Sequence, residues 1–513
     1  MGMANQIERL RELEEQALIG EGKEAIEKQH ARGKLTARER IELLFDKGTF
    51  VEVGMFAQHQ CHDFGMQKIR PLGDGIITGY GMVDGRSVYA YAHDATIFAG
   101  AGGHTHASKT VHLMRVAAKA KAPIVGLIDS AGGRIQEGSG TLSQIFYDNV
   151  IISGVVPQIS AIMGNCAGAG VYTPALTDFI LMVEGTSQMF ITGPAVIKQV
   201  MGEEISSQDL GGARPQSQIS GVCDFVARND EECIQMIKKL LGFLPQSYLG
   251  SPPFLDTGDD PNRCDETLTD IIPESPRSPF DMHEIISRIV DNGDFFEVKA
   301  AFARNIITGF ARLGGYSIGI VANQPSVLAG SLDCDASDKA SRFYRTCDCF
   351  NIPIICLVDV PGYLPGSEEE HKGIIRHGAK MLYGYTEANV PKISVVIRKA
   401  YGGSYVAMGS KSQGADFAFA WPSAEIAVMG AEGAARILYR KEVEAAEDKE
   451  QVFKQKVEEF REKFSTPYYA ASKQMVDAVI RPQETRPALI RALGQLQNKV
   501  EERPGKKHGN IPL

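Results

Sequence analysis

Two short glycine-rich junctions carry the densest chemical signal in this 513-residue chain: Cys166-Ala167-Gly168-Ala169-Gly170 and Ala400-Tyr401-Gly402-Gly403-Ser404. Each follows an apolar run that reads as a buried strand and precedes a stretch that reads as a helix. Small residues let the main chain approach a ligand, and N–H groups at a helix start point outward with partial positive charge. Such a turn can bind a phosphate, or the oxyanion that forms when a thioester is enolised. One isolated glycine-rich turn is better read as close strand–helix packing. Two at equivalent places favour the ligand reading. A dinucleotide fingerprint is excluded because Gly168-Ala169-Gly170 lacks the third glycine in register, and a P-loop because no Gly-Lys-Ser/Thr ending follows.

Side-chain machinery is sparse. Cys166 sits at the first turn, but a nucleophile there needs a base that the sequence does not place, so it reads as a buried structural thiol. His93, His104 and His106 form a loose cluster without ligand spacing and read as surface or loop histidines. Asp129 and Asp359 end apolar runs and are expected to cap the following helices. Cys347 and Cys349, the one close pair among nine cysteines, read as a helix-borne structural pair, and no metal site is expected. Backbone donors without a fixed general base suit chemistry in which the substrate or a cofactor accepts the proton.

The elements that must position these turns occur twice. APIVGLIDSAGG (122–133) is an apolar run ending in Asp129 and a turn, followed by PQISAIMGNCAGAGVY (157–172). IPIICLVDVPGY (352–363) and PKISVVIRKAYGGSYV (391–406) repeat that order in the second half. Both copies continue to an Asp-Phe pair, Asp178-Phe179 and Asp416-Phe417, and then to a short run closed by glycine, MFITG (189–193) and IAVMG (426–430). Four ordered features at a shift of about 230–238 residues indicate duplication. Short Ile/Val/Leu runs alternating with helical stretches such as 106–120 and 367–388 predict an α/β fold with mainly parallel strands. Residues 1–45 and about 440–500 read as helical, and 50–91 as short strands with Gly-Asp and Asp-Gly turns. A Pro/Asp-rich stretch at 251–279 has linker composition. The predicted domains are 1–262 and 263–513.

Composition narrows the function classes. A net charge of −9, with no basic block beyond the tail near Lys506, argues against nucleic acid. The start MGMANQIERL reads as a charged helix rather than a signal peptide, and Gln6 stands where a myristoylation signal wants Ser or Thr. No run approaches the roughly 18 apolar residues of a spanning helix. An odd, scattered set of cysteines fits a reducing cytoplasm.

With these motifs in order the chain resembles the biotin-dependent acyl-CoA carboxyltransferases: propionyl-CoA carboxylase β subunits and the α subunits of methylmalonyl-CoA and glutaconyl-CoA decarboxylases. The resemblance spans essentially the whole chain. It includes GKLTARERIELL (33–44), GDGIITGYG (73–81), DSAGGRIQEG (129–138), SGVVPQISAIMGNCAGAGVYTPALTDF (153–179), VANQPSVLAGSLD (321–333), VDVPGYLPG (358–366), RKAYGGSYVAM (398–408) and KKHGNIPL (506–513). It implies two tandem crotonase-like (ClpP/crotonase) domains, the first serving the acyl-CoA and the second biotin. Amides of Gly168 and Ala169 are then expected to hold the enolate oxygen, and those of Gly403 and Ser404 the ureido oxygen of biotin. Gly132, Gly133, Arg134, Tyr405 and Val406 are the expected substrate-binding residues. Carboxyl transfer would run between biotin N1 and the α-carbon, the biotin nitrogen handling the proton. The family's active sites lie between the N-domain of one subunit and the C-domain of another, usually in a hexamer.

Three positions depart from the family pattern. Gly168-Ala169-Gly170 replaces Gly-Gly-Ala, and Ser404 replaces Ala; a backbone donor survives both changes. Val406 stands where propionyl- and acetyl-CoA carboxylases typically carry Asp, which favours a methylmalonyl-CoA decarboxylase over a propionyl-CoA carboxylase. No Met-Lys-Met biotinylation motif or ATP-grasp loop is found, so biotin must arrive on a partner carrier protein, with coenzyme A entering as part of the substrate. The remaining partner is a membrane decarboxylase subunit or, alternatively, a biotin carboxylase subunit. The expected location is cytoplasmic, peripheral to the inner membrane through partners in the decarboxylase case. A biotin-independent crotonase-like hydrolase or isomerase is the alternative from another class; it would leave the second turn without a purpose.

Overall fold

The computed structural model describes residues 2–20, 22–138 and 142–513. The chain divides into two compact units, Met1–Ser251 and Pro252–Leu513. Each is built on an eight-stranded sheet.

The first sheet contains β1 (Val51–Glu52), β2 (Ile76–Val83), β3 (Arg86–His93), β4 (Ile124–Ser130), β5 (Gln158–Ala167), β6 (Phe179–Val183), β7 (Gln188–Phe190) and β8 (Phe225–Ala227). The second contains β9 (Phe295–Val298), β10 (Ile306–Leu313), β11 (Tyr316–Asn323), β12 (Ile354–Val360), β13 (Lys392–Tyr401), β14 (Phe417–Ala420), β15 (Glu425–Ala427) and β16 (Ala478–Val479). The order is β1-β2-β3-β4-β5-β6-β8 with β7 on β5, and β9-β10-β11-β12-β13-β14-β16 with β15 on β13. The two orders are the same, strand for strand. In each, two antiparallel pairings open the sheet and the rest is parallel.

The repeated sequence features have repeated physical jobs. β4 and β12 are buried at every position, as expected of parallel strands covered on both faces. Helices His104–Ala120 and Cys334–Cys349 precede them. The Asp of each Asp-Phe pair ties the start of one strand to the next. Asp178 Oδ2 accepts the Gln158 N–H, and Asp416 Oδ2 the Lys392 N–H, each at 2.8 Å.

The core of the second unit gathers Ile285, Ile289, Ile320, Leu357, Val395 and Trp421. Trp421 is fully buried, and its indole N–H donates to Thr485 Oγ1 at 2.9 Å, which satisfies its one polar group. The Pro/Asp-rich stretch packs onto this unit: the Leu255 N–H donates to Gly315 O at 3.0 Å, and Arg263 Nη1 donates to Arg288 O at 2.8 Å. Among the described residues no helix is long and apolar enough to cross a membrane.

Candidate active site

β5 ends at Ala167 in extended backbone, and Gly168 at φ +66° turns the chain into the 3-10 turn Gly168–Val171. That left-handed φ is costly for a residue with a Cβ. The first N–H groups of a helical turn have no partner within it, so this bend presents donors. A Cβ at Gly168 or Gly170 would meet nothing within 4 Å among the described residues, which leaves the turn open on that side. Gly132 lies alongside with φ +104°, and a Cβ on it would come within 3.1 Å of the Ala167 carbonyl oxygen. Gly132, Ala167 and Gly170 line a narrow cleft with Ser130, Cys166 and Thr173.

In the second unit β13 ends at Tyr401, and Gly402 at φ +57° opens the helix Gly402–Ala407. A Cβ on Gly402 would lie 2.8 Å from the Val428 carbonyl oxygen, whereas one on Gly403 meets nothing within 4 Å. Ser404 is buried and its hydroxyl donates to Tyr401 O at 2.8 Å, so its side chain is used inside the turn. Gly402, Gly403, Tyr405, Val406, Lys411 and Lys473 contribute to a cleft of about 1220 Å³. Tyr405 is buried, its hydroxyl has no hydrogen-bond partner among the described residues, and burial pushes the phenol up to about 12.

Strand pairing fixes how the two turns correspond. Cys166 and Ala167 pair with Met189 and Phe190, as Ala400 and Tyr401 pair with Ile426 and Ala427. Gly168 therefore matches Gly402, Ala169 matches Gly403, and Gly170 matches Ser404. Gly402 was not among the expected residues. Aligning the halves on Pro157 and Pro391 places it opposite Gly168 and would have found it.

The structure brings Gly132, Gly168 and Ala169 to one turn, and Gly403, Ser404, Tyr405 and Val406 to the other. Gly133 sits beside them in a parallel bridge to Gly102. Arg134 is a strut: it is buried, pairs with Asp74 at 2.7 Å and Glu137 at 2.6 Å, and lies over the Phe98 ring. Cys166 is buried and its thiol is pushed up to about 12 by burial, as a structural thiol should be.

Two side-chain expectations need correction. His93 and His106 are not surface histidines; their rings meet edge-on at 4.8 Å on the wall of the first cleft. Each has a buried Nδ1 without a hydrogen-bond partner among the described residues. Burial holds His93 down to about 4 and His106 well below its ordinary value. Asp129 and Asp359 do not cap helices. Asp129 pairs with Lys34 at 2.6 Å and Asp359 with Arg398 at 2.8 Å, both wholly buried. Among the described residues no group of three or more His, Cys, Asp or Glu is placed to hold a metal ion.

The profile of the carboxyl transferase domain matches residues 28–511. The chain belongs to the carboxyl transferase family. It is 55% identical over 510 residues to the methylmalonyl-CoA decarboxylase subunit alpha of Veillonella parvula, covering 99% of both chains. It is 53% identical over 516 residues to the propionyl-CoA carboxylase carboxyltransferase subunit of Haloferax mediterranei, covering 100% of both. Among solved structures it matches transcarboxylase 12S, a hexamer with methylmalonyl-coenzyme A and methylmalonic acid bound. That match has a TM-score of 0.98 at 49% identity and covers 100% of this chain and 99% of the other. The two units are thus the tandem crotonase-like domains of this carboxyl transferase architecture.

Proposed function

We propose that this carboxyl transferase moves a carboxyl group between a malonyl-type acyl-CoA, methylmalonyl-CoA first, and biotin on a partner carrier protein. The observation that supports this reading is the same open glycine turn at the end of the same strand in both units. One reaction needs two oxyanion sites: one for the thioester oxygen as the α-carbon gains charge, one for the ureido oxygen of the acceptor. We assign the first unit to the acyl-CoA and the second to biotin.

The residues present fit both groups. At the first turn the amides of Gly168 and Ala169 would hold the thioester oxygen, with no side chain over Gly168 or Gly170 to keep it away. One such donor is worth about 10²–10³ in rate. At the second, the open space over Gly403 and the apolar Val406 form a cradle for a flat ureido ring. Biotin, when bound, supplies the nitrogen that accepts the carboxyl group and handles the proton. Among the described residues on the wall of the first cleft, His93, held at about 4, is a poor proton acceptor at pH 7. Cys166, its thiol up at about 12, is no nucleophile.

Relatives at 55% and 53% identity include a decarboxylase and a carboxylase subunit, so identity alone does not set direction. Val406 on the wall of the second cleft favours the decarboxylase. The chain would then work as a hexamer in the cytoplasm, with a biotin carrier protein and a membrane decarboxylase subunit. The propionyl-CoA carboxylase reading replaces that membrane subunit with a biotin carboxylase. Affinity capture of the tagged chain from its own cells tests the choice. Recovery of a biotin carrier with a membrane subunit is expected, and recovery of a biotin carboxylase without one overturns the decarboxylase reading.

A further inference from the structure

In both units the strand that delivers the glycine turn is bulged in the same way. β4 and β5 pair Ile128 with Ile162 and next Ser130 with Cys166; β12 and β13 pair Val358 with Val396 and next Val360 with Ala400. Between those pairs one residue on the inner strand, Asp129 or Asp359, faces three on the other: Met163–Asn165 or Ile397–Lys399. A bulge leaves main-chain groups without ladder partners and bends the strand that carries it.

The lone residue fills that gap with its carboxylate. Asp129 Oδ1 accepts the Asn165 N–H at 3.3 Å, and Asp359 Oδ1 accepts the Lys399 N–H at 2.8 Å. Three residues beyond each of those amides stands the turn glycine, Gly168 or Gly402.

The countercharge comes from different places in the two copies. In the second unit Arg398, itself a bulge residue, pairs with Asp359 at 2.8 Å and donates to Ser278 O at 2.8 Å. Its counterpart in the first unit is Gly164, where a Cβ would fall 1.9 Å from Asp129 Oδ1. There the charge arrives from the N-terminal segment, through Lys34 at 2.6 Å and Arg40 at 3.4 Å. Arg40 also donates to the carbonyl of Met163, another bulge residue, at 2.9 Å. The carboxylate and its N–H are common to both copies while the cation is not. The shared feature is the carboxylate's hold on the bulge.

We infer that Asp129 and Asp359 are positioning residues for the two glycine turns, each fixing the bulge that aims the turn amides. The kinetic consequence rests on the carboxyl-transfer reading; the geometric one does not. A misplacement of about 1 Å can cost about 10²-fold in rate.

Two charge-neutral pairs isolate the acceptor. Asp359→Asn with Arg398→Leu keeps an oxygen for the Lys399 N–H, whereas Asp359→Leu with Arg398→Leu removes it. Both are assayed, at a temperature where each is fully folded by circular dichroism, for transfer from methylmalonyl-CoA to free biotin. Amide exchange over 399–407 is followed by mass spectrometry.

The leucine pair is expected to lose at least about 10-fold in kcat relative to the asparagine pair, with KM for methylmalonyl-CoA unchanged and faster exchange at the turn. Equal kcat and equal exchange in the two pairs would overturn the inference, whatever their melting temperatures. If the leucine pair does not fold, Asp359→Ala with Arg398→Leu takes its place. Wild-type protein that transfers nothing to biotin would sink the functional reading instead, and the exchange comparison alone would then decide the role of Asp359.

Discussion

Alanine substitutions at Gly168, Gly402 and Gly403 should separate by backbone geometry rather than by chemistry, since all three add the same methyl group. Gly403 has an ordinary φ and nothing within 4 Å of a built Cβ, so Gly403→Ala leaves the turn where it is. Gly168 has equal room but φ +66°, a conformation that costs an L-residue about 1–2 kcal/mol. Gly402 has φ +57° and would place its Cβ 2.8 Å from the Val428 carbonyl oxygen, which is backbone and cannot swing aside. Its turn must therefore move, and an amide that moves away from the oxyanion loses about 2.7–4 kcal/mol, or about 10²–10³ in rate.

The expected order of kcat for methylmalonyl-CoA and free biotin is Gly403→Ala near wild type, Gly168→Ala reduced, and Gly402→Ala lowest. Steady-state formation of propionyl-CoA at saturating biotin reads it directly. A Gly402→Ala enzyme with wild-type turnover, beside a Gly403→Ala enzyme reduced about 100-fold, would refute the reasoning. A valine at Gly403, which projects into the cleft, should by contrast cost at least about 10².

Other outcomes follow from the same structure. Cys166→Ala should retain turnover within about threefold, because a thiol held near 12 is not ionised at working pH; loss of all activity in folded protein would restore Cys166 as a nucleophile. His283 is raised above 6.5, first by its hydrogen bond to Glu297, so its stabilisation is present below that value and lost as pH rises through the folded pKa. The melting temperature gap between wild type and His283→Gln should accordingly be visible at pH 6 and gone by pH 9, and a gap that widens with pH would contradict the assignment. Thr485→Val leaves the buried Trp421 N–H without its acceptor and should cost about 1–3 kcal/mol in urea unfolding, with kcat unaffected once folded.

Much of the fold was legible because duplication leaves local traces. The strand-opening prolines Pro123, Pro157, Pro353 and Pro391, the Asp-Phe pairs and the glycine turns all recur where the parallel sheets need them. What escaped depends on distant contacts. Asp129 looks like a helix cap until Lys34 and Arg40, 95 and 89 residues away, are folded against it. His93 and His106 looked like loop residues because their burial comes from a strand end meeting a helix start across the sheet. β16, two residues within a charged helical segment, has too little pattern of its own and is defined by pairing with β14. At the second turn the open glycine was found, but the bent one, Gly402, shows only when the halves are aligned on Pro157 and Pro391.

The most direct test is to follow the carboxyl carbon. Purified protein would be given methylmalonyl-CoA labelled at the free carboxyl, with and without free biotin. The products would be separated as CO₂, biotin-bound carboxyl and unchanged thioester. The account predicts label leaving the thioester only when biotin is present, with propionyl-CoA as the other product. Thioester hydrolysis or isomerisation without biotin would contradict it.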